Sequence, residues 1–496
     1  MAWLKYLLFF SINLVASTSF AEKVFDFNAN CRQAYNEIVK LKLTSGQQLL
    51  NEEKEANPEN LIPYFLENYI DFFELFFNED PLTYKSRLLN RSKRLNLMDE
   101  GPSNSPFLRF TKAIINFQWA TIKIKFGNRW DAGWEFRRSY LQIKDNKERF
   151  PDFLPNDMLY GAMQTVVGTV PDGYKWIGKL LGLNGSIKTG INLLQQFLNS
   201  SNEWATVFRV EGIFYYSYLR FHVLNEREEI FEYVRLQKLD LVNNHLFAYM
   251  MANLAINNKQ SHFAQQIIQQ RNPAGDYLVT PVWDMEMGFA KLNHLDKDAS
   301  TYLLRFVRLF KGKFYVKEAL QKLSWYYYLS GDKETATYYQ QMAKTKGNAV
   351  TEADKYALKE AKLGKWPNLL LLKARLLSDG GYQQEALSVL AGKSETDFKE
   401  VVERVEFAYR LGRIYDDMRL YEDAIRFYLT TVKTGEKLKE YYAARAAIQI
   451  GNIYEKRGQR NQAITFYEKC LSMGDHDYKD SLDQKAKAGI ARCKGE

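Results

Sequence analysis

The sequence predicts an all-α fold built from repeated helical pairs, and three observations carry that expectation. Apolar residues recur three and four apart rather than alternately, the spacing of helices that bury one face. Eight of the eleven prolines lie before residue 172 and none follows Pro367, so the last 129 residues are free to run as helices joined by short turns. A twenty-residue stretch then occurs twice: YRLGRIYDDMRLYEDAIRFY (Tyr409–Tyr428) and IQIGNIYEKRGQRNQAITFY (Ile448–Tyr467) align at a shift of 39.

The first segment, residues 1–21, reads as a signal peptide: one basic residue (Lys5), an apolar run from Tyr6 to Val15, then small residues ending at Ala21, where cleavage is expected. The run is shorter than the roughly 20 residues a membrane-spanning helix needs. No later stretch reaches that length without charge, so an exported, periplasmic or secreted, soluble protein is expected. Over the whole chain 68 basic and 59 acidic residues are interspersed, giving +9, or +8 once Lys5 is removed. That modest, unsegregated excess argues against nucleic-acid binding, which needs a basic face. The 9 Trp, 32 Tyr and 32 Phe are expected to pack between helices.

Residues 22–245 read as a degenerate helical-repeat region. The first hundred residues are periodic but fall into no repeat register, whereas Ala120, Gly127, Ala132 and Phe136 fit one, and Phe208–Tyr218 reads as an aromatic-rich helix. Seven glycines crowd residues 161–190. Within them Gly173–Leu180 nearly spells a phosphate-binding loop, but Leu180 stands where a hydroxyl must hold Mg²⁺ and no strand precedes it. No nucleotide or other cofactor is expected.

Residues 246–481 form the repeat array. Gly412 aligns with Gly451, Tyr415 with Tyr454, Ala424 with Ala463, and Tyr428 with Tyr467. This pattern, an apolar residue and Gly followed by Tyr three on, Ala twelve after the Gly and an aromatic four later, resembles the tetratricopeptide repeat. Small residues let two helices approach and cross, while the aromatics fill the wedge between them. Weaker copies place the small anchors at 252, 288, 324, 374, 412, 451 and 489. Their spacings of 36, 36, 50, 38, 39 and 38 exceed the family's usual period of about 34, which predicts lengthened helices or turns. Around Gly288 the fit is looser, with Ser300 in the later small position and Ala299 beside it. Residues 482–496 read as a C-terminal capping helix.

The resemblance implies a right-handed superhelical solenoid that binds protein or peptide without catalysis. A second, local likeness runs through Leu180-Leu181-Gly182-Leu183-x-Gly185 and Gly190-Ile191-x-x-Leu194, similar to a Gly-rich junction of the tetratricopeptide-39/inclusion-body-clearance family. It implies a helical hairpin inserted at 161–190 and little about activity.

In the family the first helix of each repeat lines a concave groove. Carried over position by position, the resemblance assigns Trp325 and Tyr328, Leu371 and Arg375, then Tyr409, Arg413 and Asp416, and finally Arg445, Asn452 and Glu455 to that surface. Rings there would bury ligand side chains, and Arg or Asn would hold carbonyls or a carboxylate. The competing expectation is that the rings pack between repeats and the polar groups are merely solvated. The repeated Lys and Asn of chaperone-binding members are not reproduced; Asn452 alone matches.

No metal spacing or nucleophile motif occurs among the five histidines, and Asp475-His476-Asp477 reads as a solvated turn. No catalytic residue is expected. Cys470 and Cys493 could be bonded in an oxidising compartment or could fill small apolar slots as free thiols. The other function classes compatible with the composition are a glycan-binding nutrient-uptake protein resembling the SusD-like family, which usually begins at a lipidated cysteine missing here, and an α-helical toroid enzyme.

Overall fold

A computed structural model describes residues 22–169 and 182–495. The expected signal peptide, the loop-like Gly173–Leu180 and the middle of the Gly-rich segment lie outside the described residues. Those residues form an all-α helical-repeat solenoid. Among them the one β-type pairing is an isolated bridge between Val24 and Asn60, and no helix is long and apolar enough to cross a membrane.

The helices come in antiparallel pairs: Ala29–Val39 with Leu43–Ala56, Ile62–Asn78 with Pro81–Met98, Pro106–Lys125 with Arg129–Arg149, and Pro155–Gly168 with Ile187–Asn199. After the short Glu203–Val207, Arg209–Leu219 continues through a π-helical turn, Arg220–Leu224, before Arg227–Leu236. Then follow His245–Asn257 with Ser261–Gln270, Val282–Asn293 with Ala299–Leu309, and Val316–Leu329 with Lys333–Thr345. Beyond an extra helix, Glu352–Leu363, come Leu369–Gly380 with Gln383–Leu390, Val401–Asp417 with Tyr421–Gly435, Tyr442–Lys456 with Arg460–Ser472, and the cap Lys479–Lys494.

Proline starts helices in the first half rather than breaking them. Pro63, Pro81, Pro106 and Pro155 stand in first turns, where their missing N–H has no helical partner to lose. Asp80 and Ser105, each just before such a proline, accept from Leu82 N and Phe107 N and cap the helix.

The repeat has a backbone signature that residue identity only partly announces. Seven residues after each of the first six small anchors the chain enters the left-handed region: Lys259 (φ 58°), Leu295 (63°), Gly331 (88°), Gly381 (92°), Arg419 (60°) and Gly458 (72°). The next N–H then reaches back to the carbonyl five residues earlier, as Leu420 N does to Tyr415 O and Gln459 N to Tyr454 O, both at 2.9 Å. This is the Schellman closure, and it satisfies carbonyls that the helix end leaves free. Glycine adopts it without strain; Lys259, Leu295 and Arg419 do so at about 1 kcal/mol each, which hides the turn from a search for glycine.

The same signature marks Gly127 (φ 86°), seven after Ala120, and Leu41 (φ 67°), seven after Ala34. The first hundred residues therefore do contain one hairpin in register, with Gly46 twelve after Ala34. A Cβ on Gly46 would lie 2.4 Å from Ile38 Cγ1. The 50-residue spacing between Ser324 and Ala374 is not a lengthened repeat but an ordinary one plus the extra helix Glu352–Leu363. In the loosely matching repeat Ala299 is fully buried and Gly288 meets Leu303, so Ala299, not Ser300, holds the close crossing.

The described part of the Gly-rich segment is a close helix crossing. A Cβ on Gly190 would stand 2.4 Å from the carbonyl oxygen of Gly161, and one on Gly185 2.7 Å from Gly168 N. Pro155–Gly168 and Ile187–Asn199 thus touch through backbone, which any side chain would prevent.

One hydrophobic core runs without interruption from Phe27 to Ala361, past residue 245, and smaller clusters continue it to Cys493. The first helices fold back on the middle of the chain: Leu278 N donates to Leu41 O at 2.8 Å, and Glu79 accepts from Lys313 N at 3.0 Å. All three cysteines are buried free thiols, and burial pushes Cys470 up to about 12. His476 is buried rather than solvated, and Asp477 beside it pairs with Lys359 at 2.5 Å.

Candidate functional site

The two repeats that align in sequence superimpose in chemistry. Tyr428 Oη donates to Asp416 at 3.0 Å and Tyr467 Oη to Glu455 at 2.6 Å, while Tyr415 stacks on Phe427 and Tyr454 on Phe466. Tyr428 and Tyr467 are fully buried against Gly412 and Gly451; Tyr415 and Tyr454 are half-buried. Ala424 and Ala463 are fully buried at the helix crossings. The aromatics therefore divide into two true wedges and two rings that stack toward the surface.

Of the residues assigned to the groove, Trp325 and Tyr409 are withdrawn from solvent, at 6% and 2% exposure. Trp325 packs with Leu292, Leu372 and Leu376 beneath the Arg375 guanidinium, 4.9 Å from its ring. Tyr409 lies among Tyr428, Tyr441 and Tyr442, and Leu371 is fully buried. The physical reason is packing between neighbours: Leu372 and Leu376 of Leu369–Gly380 cover Trp325, and Tyr441 and Tyr442 cover Tyr409.

The other assigned residues remain accessible and polar. Tyr328 stacks on Trp366 at 4.5 Å. Arg375 donates to Tyr356 Oη at 3.1 Å and lies 3.6 Å from Asp379. Arg413 stands 3.8 Å from Asp417. Asn452 accepts from Tyr467 Oη at 2.8 Å and donates to Gln449 at 3.0 Å, and Arg445 is exposed on the same helix with its guanidinium above Tyr441. Glu455 is already engaged, accepting from Arg492 at 2.8 and 2.9 Å as well as from Tyr467.

Electrostatics ties this surface together. Burial opposes the charge of Asp379, yet the fields of Arg375, Arg410, Lys259 and Arg413 outweigh it and hold the carboxyl below its ordinary value. Lys259 pairs with Asp417 across the two halves of the chain, and Arg419 reaches Glu228 at 3.4 Å beside it. Burial, with Arg413 nearby, brings the Lys259 ammonium down to about 8 even against the Asp417 attraction. Lys259, Arg227 and Lys485 belong to this surface, and Arg410 is buried beside it, but none carries a sequence signal. They sit at hairpin ends or outside the motif's groove positions, and only the curl of the array brings them to it.

A buried carboxyl stands further toward the N-terminus, on the helix Val282–Asn293. Glu286, 1% exposed, accepts from Asn253 at 2.9 Å. Burial pushes it from 4.5 up to about 7, with Glu318 adding repulsion and the Asn253 bond opposing. Between those values the folded chain binds a proton that the unfolded chain releases. Stability from this group therefore falls as pH rises from about 4.5 to about 7 and is level above. Glu286→Gln, which keeps the acceptor for Asn253, is expected to remove that slope and to stabilise the protein by about 2 kcal/mol at pH 8. Urea unfolding at pH 5 and pH 8 checks it; an unchanged pH slope contradicts it.

Among the described residues no group of three or more His, Cys, Asp or Glu side chains is placed to hold a metal ion. In sequence, residues 444–473 match the tetratricopeptide repeat family, a stretch that spans most of the pair Tyr442–Lys456 and Arg460–Ser472. No curated protein matches the chain. Among solved structures the chain is similar to the crystal structure of the P58(IPK) TPR domain, at 14% identity over 83% of this chain and 95% of that one, with a TM-score of 0.22.

Proposed function

We propose that this chain, whose last helical pairs are tetratricopeptide repeats, is a non-catalytic scaffold that holds a protein or an extended peptide along the first helices of those repeats. The observation that carries the reading is the accessible polar ladder Arg413, Arg445 and Asn452. It lies on successive first helices whose opposite faces are packed in the core. Buried positions next to it, Ala444, Ala446 and Ile450 among them, keep the ladder rigid. A rigid row of guanidinium and amide groups loses little entropy on binding and matches the carbonyls and carboxylates of a peptide. Tyr328, stacked on Trp366, would supply an apolar step at one end. The buried Tyr409 packs against Tyr441, the ring that carries the Arg445 guanidinium.

The compartment proposed is an exported one, on the strength of the signal-peptide pattern in residues 1–21. One experiment addresses both statements: tagged wild type and the double variant Arg413→Glu/Asn452→Ala are recovered from the native envelope fraction, and their N-termini and bound proteins are identified. The expected result is a chain beginning at Glu22 whose partners are lost from the variant. Identical partner sets would remove the groove assignment, and an intact Met1 would remove export.

A further inference from the structure

The inner surface of the C-terminal repeats carries cations that no carboxylate neutralises, and they converge at the point where the array meets its own N-terminal half. Arg445 and Lys485 are exposed on consecutive first helices, Tyr442–Lys456 and Lys479–Lys494. Among the described residues neither has an ion-pair partner. Arg227 begins the helix Arg227–Leu236, whose next residue, Glu228, pairs with Arg419 of the facing repeat turn. Its guanidinium is held in place by Asn257 O at 2.8 Å and Asn225 at 3.2 Å, both neutral acceptors.

These charges feel one another. Surrounding protein, then Arg445 and Arg227, push Lys485 down to about 8, and surrounding protein, Arg413 and Arg445 lower Arg227. Like charges gathered in a walled but solvent-reached space are an unfavourable arrangement unless an anion occupies it. Elsewhere on this surface the cations have been matched: Arg410 with Glu406 at 2.6 Å, Arg413 with Asp417, Lys259 with Asp417. Arg227, Arg445 and Lys485 have no such carboxylate among the described residues.

We infer that Arg227, Arg445 and Lys485 form an acceptor site for an acidic peptide segment, entered from the groove and closed by the contact between Arg227–Leu236 and the C-terminal repeats. This rests on the peptide-binding reading and deepens it by naming the ligand's charge. A nucleic-acid strand fits less well. Its unbroken row of phosphates would run past Asp379, Asp416, Asp417 and Glu406, which line the same surface. A peptide can instead place isolated carboxylates against the three cations and neutral amides along Gln449 and Asn452.

The test measures binding of a fluorescent synthetic peptide alternating Glu and Ser to the purified mature chain by anisotropy, with a Lys/Ser peptide and a single-stranded oligonucleotide as comparisons. The acidic peptide is expected to bind in preference to both, and to weaken as salt rises. Arg445→Glu and Lys485→Glu are each expected to weaken it by about tenfold or more. Lys487→Glu, an exposed change on another face of the same helix, is expected to leave it unchanged. Acidic-peptide binding by both reversal variants as tight as by wild type, or tighter binding of the oligonucleotide, overturns the proposal. If the acidic peptide fails while native partners still depend on Arg413 and Asn452, the charge assignment falls and the groove stands. If the acidic peptide binds but those partners are indifferent, the groove reading falls instead. Both reversed residues are solvent-exposed, and far-UV circular dichroism of each variant confirms that the fold is retained.

Discussion

Gly451→Val is expected to unfold the C-terminal repeats at markedly lower temperature, with a loss of about 3 kcal/mol. A Cβ at Gly451 would stand 2.6 Å from Cε1 of Tyr467, and the ring has no escape. A Cβ on Gly489, on the cap helix, would lie 2.4 Å from Cζ of the same ring. Tyr467 is fully buried, with its hydroxyl fixed by Asn452 and Glu455. Against this clash, replacing a helical glycine gains at most about 1 kcal/mol of backbone entropy. The balance reverses at Gly133, also inside a helix but with nothing within 4 Å of its Cβ position. Gly133→Ala is expected to stabilise by up to about 1 kcal/mol. Thermal unfolding of both variants, followed by hydrogen exchange within 442–494, decides the matter. A neutral Gly451→Val would mean that the ring is free to move. Adding Tyr467→Leu is expected to restore part of the loss, since the two positions contend for one volume.

Glu211→Ala is expected to cost on the order of 4 kcal/mol, because it strands donors as well as leaving a hole. The Glu211 carboxylate accepts from Tyr35 Oη at 3.0 Å, Tyr69 Oη at 2.9 Å and Tyr215 Oη at 2.5 Å. Tyr35 and Tyr69 are 2% and 1% exposed, so neither hydroxyl finds water in compensation. The three tyrosines come from Ala29–Val39, Ile62–Asn78 and Arg209–Leu219, which makes this one carboxylate the polar tie between the first two hairpins and a helix some 140 residues on. Burial raises the pKa of the carboxyl while the three hydroxyls oppose it. Glu211→Gln, which keeps one oxygen acceptor, is expected to lose about half as much. Hydrogen exchange in 29–78 should rise sharply in the alanine variant and modestly in the glutamine one. Equal protection in both would show that the tyrosines do not depend on the carboxylate.

The two halves of the chain were unequally legible for a physical reason. From Ala252 onward, close helix crossings select small residues at fixed intervals, and these survive as a register readable by eye. At Ala34 and Gly46 the same crossing exists, but the turn uses Leu41 at φ 67° in place of glycine. Neighbouring helices with Pro63 and Pro81 in their first turns blur the period. The extra helix Glu352–Leu363 likewise could only register as an oversized gap, because a helix packed beside a pair needs no small anchor of its own.

The candidate site divides along a similar line. Arg375, Arg413, Arg445 and Asn452 were reachable because a helical repeat dictates which positions of its first helix turn away from the core. Trp325 and Tyr409 occupy such positions too, yet neighbouring helices cover them, since burial depends on what packs alongside. The meeting of Arg445 with Arg227 and Lys485 lay beyond sequence reasoning: Arg227 is 218 residues from Arg445 in the chain, and nothing local requires them to meet.

By itself, then, the sequence determined the helical class, the repeat period and the Gly–Tyr wedges at 412/428 and 451/467, all products of interactions within about forty residues. Tertiary structure alone decided that the first helices dock on residues 245–314, that Lys259 and Glu228 meet Asp417 and Arg419, and that unpaired cations gather where they do. Local patterning encodes which face of a helix is apolar. The curl of a long array accumulates from many small crossing angles, each set by packing at contact distance, and no one stretch of residues records their sum.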